Sequence, residues 1–257
     1  MIALYQPGTS RLHRLHPVSK LVFSLVLIAL ALGSGWFWAP LLAYLLLLPL
    51  SVLGSVLRPF LRISLRLVLP FVISLFLIQS LFFPEGSTLL ARVGPLTIKA
   101  EGVRFALVSS TRILLIIGAL LLTLLTTHPG LLMLGLTEKG LPPTLAYVIT
   151  TALQLVPLLR ERAQLIIDAQ RARGLETEGA LLRRLRALLP LIGPLVLGAL
   201  LDVEQRTLAI EARAFNAPTR RTSLYELRDP LPERLLRWAG ALLALVLLGV
   251  RLVEAVR

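Results

Sequence analysis

One short pattern occurs twice, forty positions apart: Asp168-Ala-Gln-Arg-Ala-Arg-Gly174 and Leu208-Ala-Ile-Glu-Ala-Arg-Ala214. Each closes a helical run on alanine, arginine and a small residue. A guanidinium is a rigid planar fork suited to bidentate pairing with a carboxylate. The alanines beside it, Ala172 and Ala212, keep the helix surface low, so a groove on another molecule can close over it. Taken singly, either arginine has a plainer explanation, a cation complementing the negative end of a helix dipole. As a pair, Arg173 and Arg213 point to a partner with two equivalent sockets.

Other side chains capable of chemistry fit structural duties better. Asp168, Glu204 and Glu211 share charged helix faces with arginines, so ion pairing is expected of them before catalysis. His13 and His16 have a spacing that can ligate a metal, but no third ligand lies near, and they are read as interfacial residues. His128 stands before Pro129, where a helix ends. No Gly-x-x-x-x-Gly-Lys-Ser/Thr occurs, so this chain is not expected to bind ATP itself. With no cysteine, sulfur ligation and thiolate chemistry are ruled out.

The elements that present the two arginines belong to a membrane chain. Of 257 residues 56% are hydrophobic and only 16% charged, with mean hydropathy +0.81, too apolar for a soluble domain of this length. The net charge of +13 would suit nucleic acid, but the arginines cluster between apolar segments, the pattern of a cytoplasmic, lipid-facing surface. Residues 21–57 carry no charge; as one helix they would run about 55 Å, nearly twice the hydrocarbon thickness. They must fold back, and Gly33-Ser-Gly-Trp-Phe-Trp-Ala-Pro40 supplies the turn. Further spans are expected at about 67–84, 103–127 and 235–252. Arg112 falls inside the fourth, roughly 12 Å beyond Arg104 at 1.5 Å per residue. It either faces a partner subunit or wet crevice, or snorkels outward.

A cytoplasmic N-terminus places Arg11, Arg14, Lys20, Arg58, Arg62, Arg66 and the dense basic set from Lys139 to Arg234 inside, satisfying the positive-inside rule. The charge-free stretches 141–159 and 187–201 could be taken for two more spans. Making both cross would export the segment Arg160–Arg186 with its seven arginines. Long amphipathic helices along the cytoplasmic face are the better reading, broken by Pro142-Pro143, Pro157, Pro190 and Pro194. The expected fold is an all-α integral membrane protein of about five transmembrane helices plus those amphipathic helices. Its expected divisions are a membrane domain at 1–127, a cytoplasmic domain at 128–234 and a last membrane helix at 235–257.

Several segments together resemble the transmembrane T component of energy-coupling factor transporters, the family that includes subunits of cobalt, nickel and biotin uptake systems. They are Tyr5–Lys20, Thr126-Thr127-His128-Pro129, Ala172-Arg173-Gly174, Ala212-Arg213-Ala214 and Phe215–Thr222. The second motif departs from the family's Ala-Arg-Gly by ending in Ala214. The resemblance implies a non-catalytic scaffold in the cell membrane, joined to two cytoplasmic ATPases that bind the ATP and to one membrane subunit that captures a vitamin or metal. Arg173 and Arg213 would dock the ATPases through coupling helices. Leu155, Leu159, Leu191 and Arg112 would face the capture subunit. The chain itself would need no cofactor or metal, and its partners would include the bilayer but no nucleic acid. The rival classes are a membrane enzyme using the arginines for phosphate, and a self-contained secondary transporter. The first lacks a nucleophile paired with a base, and the second would need several midplane ionisable groups where only Arg112 qualifies.

Overall fold

The structure is a computed structural model, and it describes residues 5–82, 88–93, 96–174, 181–215, 224–225 and 227–256. Its helices are α1 (Arg11–Arg14), α2 (Pro17–Gly33), α3 (Trp38–Leu53), α4 (Leu57–Phe82), α5 (Ala100–Thr126), α6 (Pro129–Glu138), α7 (Pro143–Ala172), α8 (Leu181–Ala212) and α9 (Leu231–Val256). The chain departs from an all-helical one in the strands β1 (Leu89–Val93) and β2 (Leu96–Lys99), an antiparallel pair with Arg92 opposite Thr97 and Val93 opposite Leu96. The turn pair Gly94-Pro95 in the sequence marks such a hairpin.

Two compact units are present, one drawn from Ala3–Pro142 and Leu227–Arg257, the other from Pro143–Glu226. This differs from the division expected at residues 128 and 235. The reason is packing: α6 lies against the start of α2, where a Cβ on Gly135 would meet His16 and Val18 at 3.3 Å. α9 lies against the whole of α2, with Gly240 beside Val26 and Gly33 beside Leu247.

In the first unit, α4 and α5 are each long and apolar enough to cross a bilayer, and α2 and α3 are shorter apolar helices. The reversal expected at 33–40 is present between α2 and α3. α4 begins earlier than the charge-free window, because Arg58, Arg62 and Arg66 recur every fourth residue and form one exposed stripe on its first turns. Around α5 the packing is tight. Leu115, Ala119 and Leu125 of α5 are buried with Leu27 and Ala31 of α2, Tyr44 and Leu47 of α3, and Phe60 of α4. Gly118 is required here, since a Cβ would come within 2.8 Å of the Tyr44 ring, and small residues are what allow membrane helices to approach closely. Tyr44 stacks on Phe60 at 5.9 Å and its hydroxyl meets Ser64 Oγ at 3.0 Å. Ser24 of α2 donates to the Ala119 carbonyl of α5 and meets Thr123 Oγ1 at 2.6 Å, contacts worth about 0.6 kcal/mol each in a bilayer.

The second unit is built on α7 and α8. Contrary to the breaks expected at prolines, α7 runs unbroken through Pro157, and α8 through Pro190 and Pro194. An internal proline deletes one N–H and bends a helix, but the turns on either side keep their bonds, so a long helix survives it. The two helices run antiparallel. Tyr147 at the start of α7 meets Phe215 just past the end of α8, with ring centroids 5.5 Å apart. Midway, the Arg162 guanidinium reaches Asp202 at 2.6 Å and donates to the Gly198 carbonyl at 3.2 Å. Both carboxylate and guanidinium are partly shielded from solvent, which gives this pair more weight than an exposed one.

Candidate docking site

The two arginine motifs are built alike in backbone. α7 ends at Ala172 and α8 at Ala212, so Arg173 and Arg213 are the C-cap residues and Gly174 and Ala214 the positions after them. Both of those take the left-handed conformation, with φ of 90° and 51°. Gly174 N–H donates to the Arg171 carbonyl at 2.9 Å, and Ala214 N–H to the Glu211 carbonyl at 2.9 Å. At the second motif Phe215 N–H also donates to the Ile210 carbonyl at 3.1 Å, which completes a Schellman cap. The third residue must be small because the chain turns left-handed there, at no cost for glycine and about 1 kcal/mol for alanine. Ala214 thus takes the left-handed cap conformation that Gly174 takes at the first motif.

Both arginines are exposed, as are Ala172, Gly174, Ala212 and Ala214. Among the described residues neither Arg173 nor Arg213 forms an ion pair or side-chain hydrogen bond. Near the first motif, Asp168 accepts from Gln164 at 3.1 Å and lies 4.0 Å from Arg171, the ion-pairing role expected of it. Because α7 and α8 are antiparallel, their C-termini point to opposite ends of the hairpin. Extending the Tyr147–Phe215 register at 1.5 Å per residue separates the two arginines by about 36 Å along it.

The residues expected to face a capture subunit lie elsewhere. Leu155 and Leu159 are half-buried on the stripe that carries Arg162 toward α8, and Leu191 is buried, 7% exposed. Leu191 is therefore part of the protein's interior and offers no open contact surface. Arg112 of α5 does not turn outward; its Nη2 donates to the Ser34 carbonyl at 2.6 Å, while Arg251 Nε of α9 donates to the Gly33 carbonyl at 2.9 Å. Two guanidinium groups thus satisfy the free carbonyls at the C-terminal end of α2, an intramolecular role that explains an arginine within an apolar helix.

The histidines serve as caps. His16 and His128 each precede a proline at the first helical position, and each Nδ1 accepts the N–H two residues on, from Val18 at 3.2 Å and Gly130 at 3.1 Å. The repeated His-Pro is the sequence signal for these starts; His128 opens α6, where the sequence suggested only an end. His13 is held by Ser10 Oγ at 2.8 Å and the Gln6 carbonyl at 2.9 Å.

One polar cluster gave no sequence signal. Asp229 receives Lys139 Nζ at 2.6 Å, Arg237 Nη2 at 2.9 Å and Arg234 at 3.7 Å. The hydrogen bond from Lys139 holds the Asp229 carboxyl well below the usual carboxylate range; burial opposes it, and Arg237 adds a further hydrogen bond and charge. Beside it His16 is buried, and its pKa is lowered chiefly by desolvation, with Asp229 raising it and Arg237 and Lys139 lowering it.

The comparisons with known proteins agree with this architecture. The family model described as cobalt transport protein (CbiQ) matches residues 8–224. The energy-coupling factor transporter transmembrane protein EcfT of Exiguobacterium sibiricum is 33% identical over 98% of this chain and 97% of its own length. The EcfT proteins of Listeria innocua and Brevibacillus brevis are 34% and 33% identical, over 94% and 96% of this chain and 91% and 96% of theirs. The class is thus that of membrane components of transporters. The chain belongs to the family of energy-coupling factor transporter transmembrane (T) components.

Proposed function

We propose that this chain is the scaffold through which two cytoplasmic ATPases drive a membrane subunit that captures a vitamin or transition metal. The α7–α8 hairpin is the coupling element. Arg173 enters a groove on one ATPase and Arg213 the equivalent groove on the other, each meeting a carboxylate there. The observation that carries this reading is the shared cap geometry: two free guanidinium groups leave two helix ends from the same backbone conformation, at opposite ends of one hairpin. A device for a single socket needs only one such end.

ATP binding would bring the ATPases together, and a hairpin pinned at both ends would move with them. Stiffness is what lets such motion travel, and the Arg162–Asp202 bridge with the half-buried Leu155 and Leu159 supplies it. In this scheme the N-terminus and the hairpin are cytoplasmic, α2, α3, α4, α5 and α9 are the five spans, and the chemistry of ATP hydrolysis belongs to the partners. Reversing the charge of both pegs (R173E with R213E) should abolish co-purification of the ATPases while the chain still inserts. An intact complex carrying both reversals would overturn the proposal.

A further inference from the structure

Arg58, Arg62 and Arg66 stand on one line of α4, each exposed, and span about 12 Å of its first three turns. α1 adds two more cations at the same end of the first unit. A Cβ on Gly54, the residue that closes α3, would meet Leu12 of α1 at 3.1 Å, and Arg11 and Arg14 beside Leu12 are exposed. Residues 1–84 contain no aspartate or glutamate. Among the described residues none of these five guanidinium groups has an ion pair or a side-chain hydrogen bond.

Within the fold this placement is unfavourable. Like charges at i and i+4 repel one another. The first turns of a helix also carry the positive end of its dipole, where carboxylates are favoured and arginines are not, and the first turn of α4 has no acidic residue. Arg237 and Arg162, by contrast, have Asp229 and Asp202. Five uncompensated cations at one end of the unit call for anions from outside the chain.

The rest of the same face says which kind of anion. Continued at helical spacing, the line of Arg58, Arg62 and Arg66 runs through Leu69, Ile73 and Leu77, all exposed. From Arg62 to Phe82 the helix is about 30 Å long, the thickness of the hydrocarbon layer. Set across a bilayer, α4 holds Arg58 and Arg62 at headgroup level, and Arg66, one turn deeper, reaches it along its own stem. Where helices of this chain meet, small side chains let them approach, as Gly118 does under Tyr44 and Ala31 and Ala119 do in the core. The line from Arg58 to Leu77 has no small residue, so it suits acyl chains and not another helix.

We infer that this face of α4 is a binding surface for anionic phospholipids of one leaflet, with phosphates against Arg58, Arg62 and Arg66 and acyl chains along Leu69, Ile73 and Leu77. A zwitterionic headgroup would bring its own cation into the same repulsion, so the surface discriminates by charge. The inference does not depend on how the ATPases dock.

The test uses the full-length chain with one bimane-labelled cysteine, either Leu65→Cys beside the arginines or Leu77→Cys about 18 Å further along the helix, both at exposed positions. Each is reconstituted in phosphatidylcholine with rising fractions of dibrominated phosphatidylglycerol, or of dibrominated phosphatidylcholine as reference, and the quenching gives the relative affinity of the two lipids at that point. Position 65 should favour phosphatidylglycerol about fivefold, the effect of one cation on one headgroup, and position 77 should show no preference. R58Q with R62Q and R66Q should bring position 65 close to parity, whereas R58K with R62K and R66K should keep the preference. Should the glutamine chain fail to insert, the contrast between positions 65 and 77 with all arginines in place decides the matter. Equal quenching by the two lipids at position 65, the same preference at position 77, or an undiminished preference in the glutamine chain would each overturn the inference. Loss of the ATPases from the glutamine chain, with no lipid preference at position 65, would overturn it in favour of an acidic protein partner.

Discussion

Lys139 and Asp229, ninety residues apart in sequence, meet at 2.6 Å beside the two points where the chain leaves the first unit after Pro142 and rejoins it at Leu227. The pair thus ties together the outgoing and returning segments of the chain that connect to the α7–α8 hairpin. Asp229 is the hub, since it also holds Arg237, whose side chain is 9% exposed. Removing the hub strands buried cations, while removing Lys139, itself 36% exposed, leaves Asp229 with Arg237. Asp229→Asn should therefore cost about 3 kcal/mol and Lys139→Met about 1 kcal/mol or less, read by thermal unfolding in detergent. Equal losses would refute the hub.

The same cluster sets a pH dependence. The folded protein holds the Asp229 carboxyl below its unfolded value of about 3.9, so its stabilisation is complete above that pH and is lost as acid titrates the folded carboxyl. His16, lowered by burial, works over a higher range: the unfolded chain binds the proton first, so stability falls as pH drops below about 6.5. Unfolding temperatures across pH should show two declines, one beginning near 6.5 and one below 4. Asp229→Asn should remove the lower decline and keep the upper.

The caps make a prediction of opposite sign at two equivalent positions. Ala214 occupies a left-handed conformation at φ 51°, so Ala214→Gly should stabilise the second unit by about 1 kcal/mol. Gly174, at φ 90° with open space around its Cβ position, should lose about the same amount as alanine, from backbone strain alone. Hydrogen exchange at the ends of α7 and α8 reads each change locally. A destabilising Ala214→Gly would mean that the cap is not left-handed.

The Arg162–Asp202 bridge should couple α7 to α8 by about 1 kcal/mol in a double-mutant cycle of Arg162→Met and Asp202→Asn. An additive cycle would remove the stiffening assigned to it.

The long apolar helices were legible in the sequence because apolar length is read directly: α4 and α5 are long and apolar enough to cross a bilayer, and the charge-free 21–57 window divides into the shorter α2 and α3 at the aromatic turn. The arginine motifs were legible because repetition needs no tertiary information. What escaped depends on distance in space. Lys139 with Asp229, Arg162 with Asp202, and Arg112 on the end of α2 join residues that sequence spacing does not relate. The hairpin Leu89–Lys99 is too short to stand out between two long apolar helices, and the continuity of α7 and α8 was hidden by prolines that bend helices without ending them.

The chain has no cysteine, which permits a direct measurement of the two pegs. Single-cysteine chains, A172C and A212C, each exposed beside a peg arginine that is kept, would be treated with a membrane-impermeant maleimide in inside-out and right-side-out vesicles, with and without the ATPases. The account predicts labelling of both positions only in inside-out vesicles, and protection of both when the ATPases are bound. Labelling from the outer face, or unchanged labelling in the presence of the ATPases, would contradict it.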